Sequence, residues 1–412
     1  MTRIDGIPAT GRRTGLPRLL GPAFVAAIAY VDPGNVAANL TAGADYRYLL
    51  LWVLVLANAM AVVIQYLSAK LGIVTGRSLP ELLGERMPRA GRLLYWAQAE
   101  LVAAATDLAE VVGGAIALQI LFGIPLLPGG IIIGLVSIGI LMIQSRGGQR
   151  PFELVVMGLL AVITIGFVAG LVVSPVDWGE AGGGLLPRFD GAPSVLLAAS
   201  MLGATVMPHA IYAHSSLVRD RHGRERDAHG VRRLLRATRW DVAIALVIAG
   251  GVNVAMLLLA AASLPGVAGT DTIQGAHAAI EQALGPVVGV AFGIGLLASG
   301  LASTSVGCYA GAAIMDGLLR VRVPLLLRRA VTLVPALVIL GVGIDPTWAL
   351  VLSQVLLSLG IPFALIPLAW LTARRGLMGE FANRLPLRVV AAVVAVAIVA
   401  LNLLLIALTI AG

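Results

Sequence analysis

Two short stretches of this 412-residue chain set polar, helix-breaking residues inside long apolar runs: Asp32-Pro33-Gly34-Asn35 and Met207-Pro208-His209. Proline removes a backbone donor and glycine loosens the chain, so each run should unwind there. A carboxylate at bilayer depth costs about 2.5–3.5 kcal/mol on insertion scales. Unwound backbone at that depth persists only where it faces a cavity or other protein. The donors gathered are the Asp32 carboxylate, the Asn35 amide oxygen, the Met207 thioether and carbonyls freed by unwinding. Oxygen ligands suit hard dications, and one sulfur among them favours Mn²⁺ and Fe²⁺ over Ca²⁺ and Mg²⁺. A single negative charge would also let a dication leave. The plainer alternatives are a proline kink with a hydrogen-bonded Asp, and a methionine serving as core filler.

A second constellation could move protons. Glu100, Asp107 and Glu110 share one apolar run, and the last two, three residues apart, lie on one helix face. Intramembrane carboxylates are expensive unless paired or protonated. Arg328 and Arg329, at the start of a later run, are available as partners. His209 would sit between Asp32 and these acids, and imidazole exchanges protons near neutral pH. His214, just over a turn beyond His209, is a further candidate, as is Glu100 facing a water-filled vestibule. A static salt bridge is the competing explanation for the acids and arginines, and simple hydrogen bonding for His214.

Apolar residues make up 59% of the chain and charged residues 12%, against roughly 45–50% and about 25% in soluble domains. Mean hydropathy is +0.95. No soluble fold hides that much apolar surface, so the lipid bilayer is the solvent for most of the chain. The one cysteine, Cys308, excludes an internal disulfide and a cysteine-based metal site. No cleavable leader is expected, because the first apolar run leads straight into Asp32-Pro33.

Runs of about 20 apolar residues number eleven: 17–41, 47–73, 93–121, 129–145, 151–174, 193–218, 240–263, 284–314, 326–343, 347–372 and 387–411. The third, eighth and tenth are long enough to tilt or to outrun the hydrocarbon. With the N-terminus cytoplasmic, 27 of the 29 basic residues fall inside, among them Arg3, Arg12, Arg13, Arg18, Arg224, Arg226 and Arg322. Only Arg47 and Arg188 lie outside, with Asp177, Glu180, Asp190, Asp271, Glu281 and Asp345. That bias predicts an N-in, C-out orientation, and the cell (inner) membrane is the expected location. The arginine-rich 219–239 loop is then a topology signal, and no nucleic-acid partner is expected. The first ten spans divide into two sets of five, the first member of each being broken. Five is odd, so the second set runs inverted, and paired breaks in inverted repeats point to a midplane transport site.

At these residues the chain resembles the Nramp (natural resistance-associated macrophage protein) family of proton-coupled importers of Mn²⁺ and Fe²⁺. The resemblance runs from Gly21 through the tenth span and rests on the Asp-Pro-Gly-Asn at 32–35 and the Ala-Thr-Val-Met-Pro-His at 204–209. It implies an all-α LeuT-like fold: two inverted five-helix repeats (17–174 and 193–372) plus an additional helix (387–411), forming one transporter domain over 1–412. It implies metal ligands at Asp32, Asn35 and Met207, with the Ala29 and Ala204 carbonyls contributing and Gln354 close by. It implies too that Asp107 and Glu110 meet Arg328 and Arg329 along a proton exit. The chain departs from the family in carrying Ala210, where the usual run has Asn. Divalent metal ions (Mn²⁺, with Fe²⁺ and Cd²⁺) and protons are thus the expected partners, with no cofactor and a monomeric state. An amino-acid or organic-ion symporter on the same fold is the alternative, but its site would not set Asp opposite Met. An intramembrane enzyme lacks a nucleophile and a His-x-x-x-His zinc pair. A Mg²⁺-selective relative would not be expected to keep Met207.

Overall fold

The computed structural model describes residues 20–411 except 224–226, 271 and 322. The basic residues at 3, 12, 13, 18, 224, 226 and 322, Asp271, and the start of the first run at 17–19 lie outside the described residues. Among the described residues the chain is helical throughout and contains no strand. Among the described residues nine helices are long and apolar enough to cross a membrane, the two halves of span 6 counting as one. Span 1, divided by its break, and the Leu325–Val342 helix of span 9 complete eleven. The chain is a multi-pass membrane protein.

Span 1 is a short helix (Pro22–Ala27), a 3₁₀ turn (Ile28–Val31) and a second helix (Pro33–Tyr46). Span 6 is Gly191–Thr205 followed by Pro208–His222. Spans 2, 3, 7, 8 and 10 are continuous helices over Leu51–Thr75, Arg89–Phe122, Ala228–Ser263, Pro286–Leu319 and Pro346–Ala373. Spans 4, 5 and 11 cover Leu126–Gly147, Gln149–Val173 and Leu385–Ala411. Span 7 corrects the expectation of a long basic loop. Its helix begins at Ala228, capped by Asp227, so much of the arginine-rich stretch is helix. Arginine is a good helix former, and a helix that leaves the hydrocarbon need not stop there. Apolar periodicity marks the edge of the bilayer, not the end of the helix.

Corresponding members of the two sets meet: 1 with 6, 2 with 7, 3 with 8 and 4 with 9. Inverted repeats related by an axis in the membrane plane bring matching helices together in this way. The closest approaches use glycine, which lets backbones touch in lipid. A methyl on Gly300 of span 8 would lie 2.8 Å from the Gly114 Cα of span 3. A methyl on Gly113 would collide with Cβ and Cγ of Pro33, at the span 1 break. The proline ring cannot swing aside as a flexible side chain would. Gly113→Ala should therefore lower stability by about 1–3 kcal/mol, the usual cost of overpacking, seen as a lower thermal midpoint of the purified protein. An unchanged midpoint would show that spans 1 and 3 yield more easily than this packing implies.

Candidate functional site

The span 1 break is held open by polar side chains from neighbouring helices. Asp32 takes an extended backbone and caps the Pro33–Tyr46 helix, its Oδ1 accepting from the Asn35 backbone N–H at 2.8 Å. Proline at the first helical position needs no donor, so Asp-Pro both ends one helix and starts the next. The Tyr30 carbonyl accepts from Asn253 Nδ2 of span 7 at 2.7 Å. The Val31 carbonyl accepts from Ser299 Oγ of span 8 at 2.5 Å. Asn39 then donates to Asn253 Oδ1 at 2.8 Å, so one amide braces both halves of span 1. Such partners are what unwound backbone requires at membrane depth. The opposite end of the first half-helix is also tied down. Asp241 of span 7 accepts from the N–H groups of Gly21 and Ala23 at 3.0 Å each, and Arg150 of span 5 donates to the Leu20 carbonyl at 2.8 Å.

The span 6 break leaves Val206 and Met207 non-helical, with Pro208 starting the second half. Asn35 joins the two breaks. Its Nδ2 donates to Asp32 Oδ1 at 2.7 Å and to the Ala204 carbonyl at 2.8 Å. Thr205 donates to the Met201 carbonyl at 2.7 Å and lies 3.3 Å from Asn35 Oδ1. Gln354 of span 10 reaches the same place: a methyl on Gly34 would strike its amide nitrogen and lie 3.1 Å from Asp32 Oδ2. Ala29, Asp32, Asn35, Ala204, Met207 and Gln354 are at most 2% exposed. Asp32 Oδ2 and Gln354 Oε1 are buried without a hydrogen-bond partner. An orphaned carboxylate oxygen is costly in a low-dielectric interior unless something positive meets it.

From this centre a polar path follows span 3. His209 Nδ1 lies 3.3 Å from Thr106 Oγ1, and Nε2 has no partner. The next residue, Asp107, pairs with Arg329 and accepts from Thr304 Oγ1 at 2.8 Å. Arg329 is fully buried and donates from Nε to Ser137 of span 4 at 2.7 Å. Arg328 pairs with Glu100 at 2.6 Å, passing over Gly311, where any side chain would strike its guanidinium. The expectation that both arginines serve Asp107 and Glu110 is therefore corrected. Adjacent helical residues point in different directions, so Arg328 and Arg329 take different acids. Glu110 is fully buried, with no hydrogen bond to either oxygen. Glu100 is ion-paired, with its side chain 23% exposed. His214 joins a different chain, its Nδ1 at 2.8 Å from Gln65 Oε1, with Gln65 Nε2 donating to the Tyr30 hydroxyl at 2.7 Å.

Asn39, Asn253, Ser299, Thr106, Thr205 and Gln65 escaped notice in the sequence. Each lies within an apolar run, and all but Thr106, which precedes Asp107, have apolar or glycine neighbours on both sides. An amide or hydroxyl in a transmembrane helix has many uses, and nothing in its local pattern says which backbone carbonyl it will reach.

The family model described as "Natural resistance-associated macrophage protein-like" matches residues 23–408. The chain is 60% identical over 394 residues to the divalent metal cation transporter MntH of Mycobacterium tuberculosis (strain H37Rv), covering 96% of this chain and 92% of that one. It is 46% identical over 403 residues to MntH of Deinococcus radiodurans, covering 96% and 92%. Its structure superposes on that of the Eremococcus coleocola manganese transporter in complex with an aromatic bis-isothiourea substituted compound, with TM-score 0.87 and 31% identity, covering 96% and 88%. The structure of MhsT in complex with L-phenylalanine, at TM-score 0.61 and 16% identity, covers 92% of this chain and 98% of its own and shares the fold alone.

Proposed function

The chain belongs to the natural resistance-associated macrophage protein (Nramp) family, and from that premise we propose that it imports divalent transition metals, Mn²⁺ foremost, together with protons. It is not an enzyme. One observation carries the reading: Asp32 Oδ2, a carboxylate oxygen at a double helix break, fully buried and without a partner. A divalent cation supplies what that oxygen lacks. Asp32, Asn35, Met207 and the Ala29 and Ala204 carbonyls are the proposed ligands, with Gln354 beside them. The Asn35 N–H₂ that bridges Asp32 to Ala204 would turn aside as the ion enters, presenting Oδ1 in its place. The two breaks thus hold each other until the cargo replaces their hydrogen bonds.

Burial of the site on all sides supports alternating access. Opening toward the arginine-rich face, which we assign to the cytoplasmic side of the cell membrane, requires the first half of span 1 to leave Asp241 and Arg150. His209, Thr106, Asp107 and Arg329 form the proposed proton route, with Glu110 available as a second acid. The Arg328–Glu100 pair lies along the same helix and belongs to its far end.

Met207 is assigned the rejection of hard ions, since it contributes the one soft donor among oxygens. Mn²⁺ uptake into proteoliposomes, measured with excess Ca²⁺ or Mg²⁺, is expected to resist competition in the wild type and to lose that resistance in Met207→Ala. Equal discrimination by both proteins would end the sulfur-filter idea. Competition by Fe²⁺, Cd²⁺ and Zn²⁺ in the same assay ranks the cargoes.

A further inference from the structure

A cavity of about 590 Å³ opens on the arginine-rich face between span 2, the extended start of span 7 and the segment that leads into span 11. Five cations line it, Lys70, Arg232, Arg236, Arg239 and Arg384, against one carboxylate, Glu380. Arg232 takes that carboxylate at 3.1 Å. Lys70 is only 6% exposed, and its ammonium donates to the neutral Asn383 Oδ1 at 2.7 Å. Arg239 packs on the Tyr66 ring, 5.5 Å from its centroid. Among the described ion pairs, none joins Lys70, Arg236, Arg239 or Arg384 to a carboxylate. Orientation in the membrane calls for basic residues on this side, but it does not call for a buried ammonium inside a ring of arginines. Burying such a charge without an anion is costly.

The position of the cavity narrows the choice of anion. Trp240 directly follows Arg239 and is 57% exposed, and Leu385 and Val389 of span 11 are 73% and 52% exposed. Trp370 of span 10, 47% exposed, is stacked under the Arg374 guanidinium at 3.5 Å. Exposed tryptophans beside exposed aliphatic side chains mark the depth of lipid headgroups. Basic pockets between transmembrane helices at that depth suit phosphate headgroups.

We propose that this cavity binds the phosphate of an acidic phospholipid, with Lys70 at its floor and Arg236 and Arg384 at its rim. The lipid would join spans 2, 7 and 11 at the arginine-rich face. This assignment does not depend on which ion the protein carries. Free phosphate offers the same chemistry, but the aromatic and aliphatic border favours the lipid.

The test uses the full-length purified protein. Native mass spectrometry would follow retention of added phosphatidylglycerol, with phosphatidylcholine as the neutral comparison, and thermal stability would be measured with inorganic phosphate alone. Wild type and Arg89→Gln, the same charge change at the start of span 3 and outside the cavity, should retain phosphatidylglycerol equally. Arg236→Gln and Arg384→Gln should each weaken retention about fivefold, and Lys70→Gln at least as much. The two arginines are exposed, so their variants decide the matter even if Lys70→Gln fails to fold. Undiminished retention in both, with phosphate stabilisation also unchanged, overturns the site. Undiminished retention with phosphate stabilisation lost overturns the lipid and leaves a free-phosphate site.

Discussion

Asp32→Asn is expected to lower Mn²⁺ affinity by more than the 10–100-fold that loss of a ligand's outer partner costs, with little change in stability. Asparagine caps a helix about as well as aspartate, so the hydrogen bond from the Asn35 backbone has an acceptor in either protein. What disappears is the one formal negative charge at the junction of the two breaks, and with it the orphaned Oδ2. The substitution also relieves the cost of placing a carboxylate at bilayer depth, so lost binding could not be blamed on a collapsed fold. Isothermal titration of detergent-solubilised protein with Mn²⁺, together with its thermal midpoint, separates the two effects. Wild-type affinity in Asp32→Asn would mean that the cation binds elsewhere.

The second large effect belongs to the Asp107–Arg329 pair. Both groups are buried, the guanidinium completely. Removing one partner of such a pair leaves a stranded charge and typically costs 3–5 kcal/mol. Arg329→Met should therefore destabilise the protein by about that much, and Asp107→Leu by a similar amount for the opposite reason. The double variant should recover most of the loss, because an apolar pair of similar volume is often neutral or better. Ser137 and Thr304, which hydrogen-bond the pair, would keep part of the deficit in place. The double variant then serves a second purpose. In proteoliposomes it should still take up Mn²⁺ while failing to acidify the lumen. Lumenal acidification at the wild-type rate would reduce the pair to a structural brace and move the proton route elsewhere, with Glu110 the next group to examine.

Much of this protein could be read from residue order alone. Apolar content demanded a bilayer, run length counted the spans, and arginine placement set the orientation to expect. The two breaks were legible because Asp, Pro, Gly and Asn within twenty apolar residues conflict with every local rule for a transmembrane helix. A conflict of that kind is informative without any knowledge of neighbours. Their relation as first members of two inverted sets depended only on counting.

What the tertiary structure alone decided was partnership. Asn253 and Ser299 look like any other polar residues in apolar runs, yet they bond the two carbonyls that make the span 1 break tolerable. Their roles depend on spans 7 and 8 lying against span 1, a contact across more than two hundred residues of chain. The same holds for the arginines. Sequence placed Arg328 and Arg329 near acids but could not allot them, because the choice turns on the direction of each side chain around one helix and the rise along another. Asp107 and Glu110 share a face, but they stand about 4.5 Å apart along its axis, and it is the first that Arg329 takes as its ion-pair partner. Local pattern records what a residue costs in lipid; which neighbour repays that cost is settled only when helices distant in sequence pack together.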